Sequence, residues 1–360
     1  MFVRRPGQAP SRGGAYVFLL AALVVCLLTG CLCGHNHRGF GPCPGDEDSD
    51  DSGSGSSGSG LLYVSNTLSS SWFRFEGVSS LDGDEASTTP VAGGLTNLSG
   101  PAFLFLDTTN NRLYVTNTTG NSVIVFSDPD TLVGNVAPVR ILSGTNTGFA
   151  SPTHVQVDIS RDLLYVSNTG ASNLLVFESA STVEGNVVPD RIIQGVSTQL
   201  AGNQGMLLDE ASDRLIVANG NSILSFDGAS TAVGNPFPTR RVTGGNTRLN
   251  AAVSLALDGD GSLYVADTGL AAILRFDSFS TLDGDVAPDA AVEGSNTQLA
   301  IPGQILLDAS GSLYVASQNS ILVFDEIASA NGNPFPDRRI EGSNTNLSGA
   351  GGIALDPSRP

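Results

Sequence analysis

"STVEGNVVPDR" (residues 181–191) is written again as "STAVGNPFPTR" at 230–240, "STLDGDVAPDA" at 280–290 and "ASANGNPFPDR" at 328–338, with a looser copy, "DTLVGNVAPVR", at 130–140. A loop that returns at a near-constant interval marks a repeat architecture, in which one supersecondary unit stacks on copies of itself. Three further columns recur around it. One is "LYVSN" or a near copy, at Leu62–Asn66, Leu113–Asn117, Leu164–Asn168, 215–219, 263–267 and 313–317. A second ends in Phe75, Phe126, Phe177, Phe226, Phe276 and Phe324. A third ends in Asp107, Asp158, Asp209, Asp258, Asp308 and Asp356. The loop itself carries Gly83, Gly134, Gly185, Gly234, Gly284 and Gly332, and successive copies are 48–51 residues apart.

Each repeat holds four short runs rich in β-branched, aliphatic and aromatic residues. In the third these are "HVQVD" (154–158), "LLYVSN" (163–168), "NLLVFE" (173–178) and "DRIIQG" (190–195). Turn residues separate the runs, and no segment keeps a helical period over ten residues. Many runs are apolar on both faces, as in sheets packed on both sides. Four strands per unit and six units predict an all-β, six-bladed β-propeller over residues 61–360. The ends support the count. The repeats open at Leu61 with the second strand of a blade, and "GGIALD" (351–356) supplies a first strand. Pairing the two closes the ring and leaves no open edge between blades. In the repeated loop, Gly185 is expected to supply a positive φ, Asn186 to cap its own backbone, and Pro189 to stand at the start of an edge strand.

"GGIALD", "LYVADT" (263–268) and "ILRFD" (273–277) resemble the NHL-repeat family of propellers. The likeness spans about 300 residues and implies the fold more specifically than an activity, since that family includes protein-binding, RNA-binding and enzymatic members. A net charge of −18, from 17 basic and 35 acidic residues, repels nucleic-acid phosphates and disfavours the RNA-binding branch.

The first sixty residues read differently. Arg4, Arg5 and Arg12 precede the apolar run "AYVFLLAALVVCLL" (15–28), which is short for a membrane span of about 20 residues and suits the core of a signal peptide. It ends in Leu28-Thr29-Gly30-Cys31, which resembles a bacterial lipobox. The resemblance implies a signal peptide over 1–30, cleaved before a lipid-bearing Cys31, and an exported protein at the bacterial cell envelope. Leu32, where an aspartate would suggest inner-membrane retention, favours the outer membrane. Residues 31–60 read as a tether: "DEDSDDS" (46–52) and "GSGSSGSG" (53–60) cannot bury apolar area. Such a chain reaches about 30 Å. Within it, Cys33, His35, His37 and Cys43 have the donor types of a zinc or copper site, at a spacing that matches no closed zinc module. A Cys33–Cys43 disulfide and a plain unstructured stalk are the alternatives.

Candidate chemistry inside the propeller is sparse. The six aspartates that end the first strands are expected to cap the following turn. The column Asn66, Asn117, Asn168, Asn219, Asp267 and Ser317 is expected to cap the next hairpin. Gluconolactonase-like propellers ligate a channel calcium from the position before which a proline opens the first strand. Here that position reads Ala102, Thr153, Gln204, Val253, Gly303 and Gly351, with no carboxylate. "LDGDG" (257–261) is read as a strand corner rather than a calcium loop. His154 is the only histidine beyond the tether, so neither a histidine-rich metal site nor a Ser-His-Asp triad is supported. Trp72 occupies a column that otherwise reads Val123, Leu174, Ile223, Ile273 and Ile321, and is expected in the core. Arg74 and Arg275 share a column with valine, where a buried salt bridge and a channel-facing charge are both open.

All connections are short, without the long insertions from which enzymes build lids. The expectation is a monomeric, non-catalytic binding or scaffold module, with an envelope protein, glycan or small ligand as partner, no nucleic acid, and membrane contact through the lipid alone. No cofactor is predicted. The alternative is a calcium-dependent hydrolase, lactonase or lyase acting at the channel.

Overall fold

The computed structural model describes residues Gly60 to Arg359. Cys31, the signal peptide and the cluster Cys33, His35, His37 and Cys43 lie outside the described residues. Six antiparallel sheets form a ring, the six-bladed propeller that the repeats predict. Counted outward from the axis, the second blade contains Pro101–Asp107, Arg112–Asn117, Ser122–Ser127 and Arg140–Ser143. The first strand of each blade packs against the first strands of the blades on either side, all the way round. The first blade closes the ring: Leu61–Asn66 pairs with Ser71–Glu76 on one side and with Ala350–Asp356 on the other, Leu61 opposite Asp356. Its fourth strand is reduced to a bridge between Trp72 and Val91, supported by Thr88 on the backbone of Arg74.

The core lies between blades. Val123 and Val125 of the second blade pack with Val155, Leu164, Val166 and Phe177 of the third. This is why second and third strands are apolar on both faces: the second strand Leu163–Asn168 is buried throughout. Trp72 is fully buried, edge-on to Phe126 at 5.4 Å between ring centroids, so it belongs to the core and offers no surface platform.

The recurring loop does more than turn a corner. All six of its glycines have positive φ, from 74° at Gly134 to 81° at Gly83. Each then docks on the outer strand of the preceding blade. Gly185 N–H donates to Ile141 O at 2.7 Å, and Ser143 N–H donates back to Gly185 O at 3.0 Å. Asn186 does not cap its own backbone. Its Oδ1 accepts the N–H of Asn146, at 2.7 Å, in the crossover that leaves the preceding blade. Asn135, Asn235, Asp285, Asn333 and Asp84 make the same bond elsewhere. The side chain needs room, and a second glycine provides it. A Cβ on Gly144, whose φ is 116°, would lie 2.5 Å from Asn186 Cγ. The loop therefore covers the sheet edge of one blade while opening the fourth strand of the next.

A second tie uses arginine. Arg140, Arg191 and Arg338, at the start of fourth strands, each donate to carbonyls in the strand-three-to-four loop of the following blade. Arg140 and Arg338 also lie over Tyr114 and Tyr314, at 5.7 and 5.6 Å from the ring centres. In the fifth blade the fourth-strand position is Ala290, and the residue opposite it is Arg275, which donates to Ala328 O. In the first blade Arg74 donates to Leu132 O at 3.2 Å. These two arginines are thus neither channel-facing charges nor buried ion pairs. They deliver the same guanidinium from the neighbouring strand, and their carboxylate contacts, Glu76 and Asp277, are largely exposed.

The swap can be tested. Arg275→Val should lower stability by about 1 kcal/mol, the net worth of one hydrogen bond between blades. Arg275→Val with Ala290→Arg, which copies the second blade, should restore most of it in urea unfolding. A double variant no more stable than the single one would mean that the guanidinium is not what joins the fifth and sixth blades.

Candidate binding sites in the channel and on the two faces

The repeated polar columns are consumed by structure. Asp158 accepts the N–H of Arg161 at 2.9 Å and the hydroxyl of Ser160 at 2.7 Å, and its side chain is fully buried. Asp258 accepts the N–H groups of Asp260 and Ser262, so "LDGDG" is a strand corner. The asparagine column bonds across the next hairpin, as expected, with Nδ2 of Asn117, Asn168 and Asn219 donating to Ser122, Asn173 and Ser222, and it also reaches back. Asn168 Oδ1 accepts the N–H of Ala150, and its Nδ2 donates to Gly148 O, both in the crossover that enters the same blade. Asn66, Asn117 and Asn219 do likewise. Asp267 bonds both sides, the crossover at Asn250 and the hairpin at Leu270. A further column escapes the sequence reading: Thr96, Thr147, Thr198, Thr247, Thr297 and Thr345 are all fully buried. Each hydroxyl donates to the carbonyl of the glycine three residues earlier, as Thr147 does to Gly144 at 2.7 Å. The recurrence of glycine, two residues and threonine was the available signal.

The channel is where the repeat breaks. A register shift near the start of each first strand bulges the chain beside the axis. At its centre stand Phe103, His154, Gly205, Ser254, Gln304 and Gly352. The four that carry side chains are all buried. Phe103 meets His154 edge to face at 4.7 Å. Gln304 Oε1 accepts the N–H of Leu104 at 3.0 Å and of Ile353 at 3.1 Å, while its Nε2 donates to Leu104 O at 2.9 Å. It reaches from the sixth blade past the first to the second. Gly352 lets the first strands of the first and second blades approach closely, since a Cβ there would lie 2.2 Å from Ala102 O. The channel is plugged by these side chains.

On one side of the plug lie Ala102, Thr153, Gln204, Val253, Gly303 and Gly351, all partly exposed. On the other side the channel widens to a funnel of about 340 Å³, walled by Phe105, Leu207, Leu306, Leu307 and Leu355, with Gln156, Gln304 and Asp308 as the polar residues of its lining. Calcium takes 6–8 oxygens, several of them charged. Neither ring beside the plug supplies a carboxylate, Asp308 is the one carboxylate residue lining the funnel, and among the described residues no group of three or more His, Cys, Asp or Glu side chains could hold a metal ion. The residues lining the channel do not fit a calcium ion.

The two faces differ in charge. One face is made of the hairpins between second and third strands and the crossovers between blades. Among the described residues these connections contain one charged side chain, Arg248, and it is paired with Glu293 at 2.5 Å. Their residues are Gly, Ser, Thr, Asn, Gln and small apolar types, with Leu68 at 78% and Val196 at 94% exposure. The opposite face, built from the turns after first strands and the start of the loops after third strands, carries Asp128, Asp162, Glu210, Asp260, Asp277 and Glu326 among its carboxylates. Burial, then the Asp158 carboxylate, pushes the Glu210 carboxyl above its ordinary value.

No protein-family model matches the chain, and no curated protein matches it by sequence. Among solved structures it is similar to a chain of the crystal structure of a nidogen/laminin complex, with 14% identity over 84% of this chain and 99% of that chain, at a TM-score of 0.59. A functionally unknown protein from Desulfotomaculum acetoxidans DSM 771 follows, with 13% identity over 74% of this chain and 75% of that one, at a TM-score of 0.47. At these identities the likeness is one of fold. The protein is a six-bladed β-propeller.

His154 gives the plug a measurable signature. Burial pushes its imidazole down from 6.5 to about 3. Between those values the unfolded chain holds a proton that the folded chain does not. Stability should therefore fall as pH is lowered through this window, at up to about 1.4 kcal/mol per pH unit. Comparing urea midpoints between pH 6.5 and pH 4.5, above most of the carboxylate range, His154→Leu should flatten the slope. An unchanged slope would show that His154 is protonated in the folded ring.

Proposed function

We propose that the chain is an exported, lipid-anchored propeller of NHL type that serves as a non-catalytic binding module at the bacterial cell envelope. Its uncharged face takes a protein partner. The observation that carries the reading is the charge contrast: in a chain of net charge −18, one face keeps a single charged connection residue while exposing Leu68, Leu95, Val196 and Ile301. Exposed apolar side chains on a surface cleared of charge are the composition of an interface centre. A protein fits better than a glycan, because Trp72 and the tyrosines 63, 114, 165, 264 and 314 are all buried, and the exposed Phe237 and Phe335 stand on the loops between third and fourth strands rather than on the uncharged face.

The sidedness suits an anchor at Cys31. The chain enters the propeller at Gly60, beside Asp356 and Pro357 on the carboxylate-rich face. The uncharged face lies on the opposite side of the ring from Gly60. Net negative charge on the attached side opposes collapse onto anionic lipid. The outer membrane is the expected location on the ground of Leu32. The nidogen/laminin structure contains a propeller within a complex between two proteins, which accords with a binding role and carries no partner identity across.

Two measurements test the proposal. Mass spectrometry of membrane-extracted protein should find an acylated N-terminal Cys31, and an unacylated terminus elsewhere would remove the anchor. Crosslinking in intact cells should give a discrete adduct that disappears in Leu68→Asp/Val196→Asp and persists in Glu326→Gln on the other face. An adduct that survives the double substitution would place binding elsewhere.

A further inference from the structure

The funnel on the carboxylate-rich side of the plug is not used by the protein-binding face. It holds about 340 Å³, within the range of small-ligand sites. Its walls come from several blades and are apolar: Phe105, Leu207, Leu306, Leu307 and Leu355 stay partly exposed there, where a solvent-filled channel would ordinarily carry polar side chains. The floor is closed and neutral. Gln304 spends both ends of its amide on Leu104 and Ile353, so it repels no hydrocarbon with an unmet polar atom. Gln156 donates its Nε2 to Met206 O at 3.2 Å and adds no charge to the wall.

The rim has the opposite chemistry. The turns that follow the first strands surround the mouth and carry Glu210, Asp213, Asp260 and Asp308. The cations in those turns are Arg161 and Arg359, and both are held, Arg161 by Asp158 at 2.7 Å and Arg359 by Asp130 at 2.5 Å. Negative charge is left in excess at the entrance to an apolar hole. Low-dielectric walls with charge of one sign at the mouth concentrate ligands of the other sign.

The geometry points to a binding site for a small cationic amphiphile, its hydrocarbon or aromatic part seated in the funnel and its positively charged head at the carboxylate rim. An apolar molecule with a negative head is rejected by the same rim. A neutral one binds through the funnel alone.

Three octyl compounds separate these contributions: octyltrimethylammonium, octyl glucoside and octanoate, titrated below their micellar concentrations into the full chain by calorimetry. The cation should bind at least tenfold more tightly than octanoate, with the difference shrinking as salt is raised. The glucoside should fall between them and ignore salt. Leu207→Trp, which enlarges a partly exposed wall residue, should abolish binding of all three while leaving the thermal midpoint near that of the wild type. Should that variant fail to fold, Leu306→Gln makes the same test at a half-buried wall position. Glu210→Gln/Asp260→Asn should weaken the cation several-fold and leave the glucoside unchanged. Octanoate binding as tightly as the cation, or unaltered binding in the folded funnel variant, would overturn the assignment.

Discussion

The bond from Gly185 N–H to Ile141 O, with Asn186 seated over Gly144 beside it, is the contact on which the ring depends. A four-stranded blade by itself has an open outer edge and two apolar faces, and is not stable in water. Stacking covers the faces. The latch covers the edge, and it does so with a piece of the next blade, so blades are joined at the rim as well as at the axis. Each latch has three hydrogen bonds, worth about 1 kcal/mol net apiece. Their value is larger in what they forbid: a blade cannot slide against its neighbour without baring backbone at both ends of the latch.

This geometry ties sequence positions in pairs across repeats. Asn186 needs Gly144, Asn235 needs Gly195, and Asp285 needs Gly244, the members of each pair standing in successive repeats. The arginine tie shows the same logic with more freedom. What the ring requires is a guanidinium at one place between blades, and either of two adjacent strands can supply it. Arg275 opposite Ala290 and Arg140 opposite Val125 are two solutions to one packing demand. Only the fourth blade departs, where Ile216 takes the tyrosine position and Arg240 is left with unpartnered nitrogen atoms beside Asp227.

The fold was legible because every column recurs inside one chain, and recurrence at a fixed interval does not depend on knowing any contact. The closure at Leu61 and Asp356 followed from phase alone. The direction of the latch hydrogen bond was not legible. Asn186 was expected to cap locally, because short-range capping is the default for asparagine. In a ring of stacked sheets the nearest unmet N–H belongs to another blade, and nothing in the local sequence says so. The role of Arg275 was in principle readable: the arginine missing at position 290 reappears in the register partner. The funnel was not, since it depends on a bulge that shifts which first-strand residues meet at the axis. The uncharged face needed only the assignment of connections to sides, after which the single Arg248 is plain in the sequence.

Function in such a molecule has to sit where the repeat is broken. Aspartate caps, buried threonines, loop glycines and inter-blade arginines recur because six corners present the same problem, and a residue that solves it six times is not free for recognition. The central column has no consensus: Phe103, His154, Gly205, Ser254, Gln304 and Gly352 share neither size nor polarity. Their differences are complementary, the absence of a side chain at Gly352 letting two first strands meet while Gln304 reaches across to both. Six equal residues would leave a hole along the axis or collide on it. An unequal set fills it, and in filling it separates a neutral side from an acidic one. The plug is therefore the element that turns a symmetric ring into a molecule with two distinct faces. It also explains why an apolar funnel can stand open at one end of the channel, because the floor that bounds it is made of side chains whose polar atoms are already engaged, apart from the buried Nδ1 of His154.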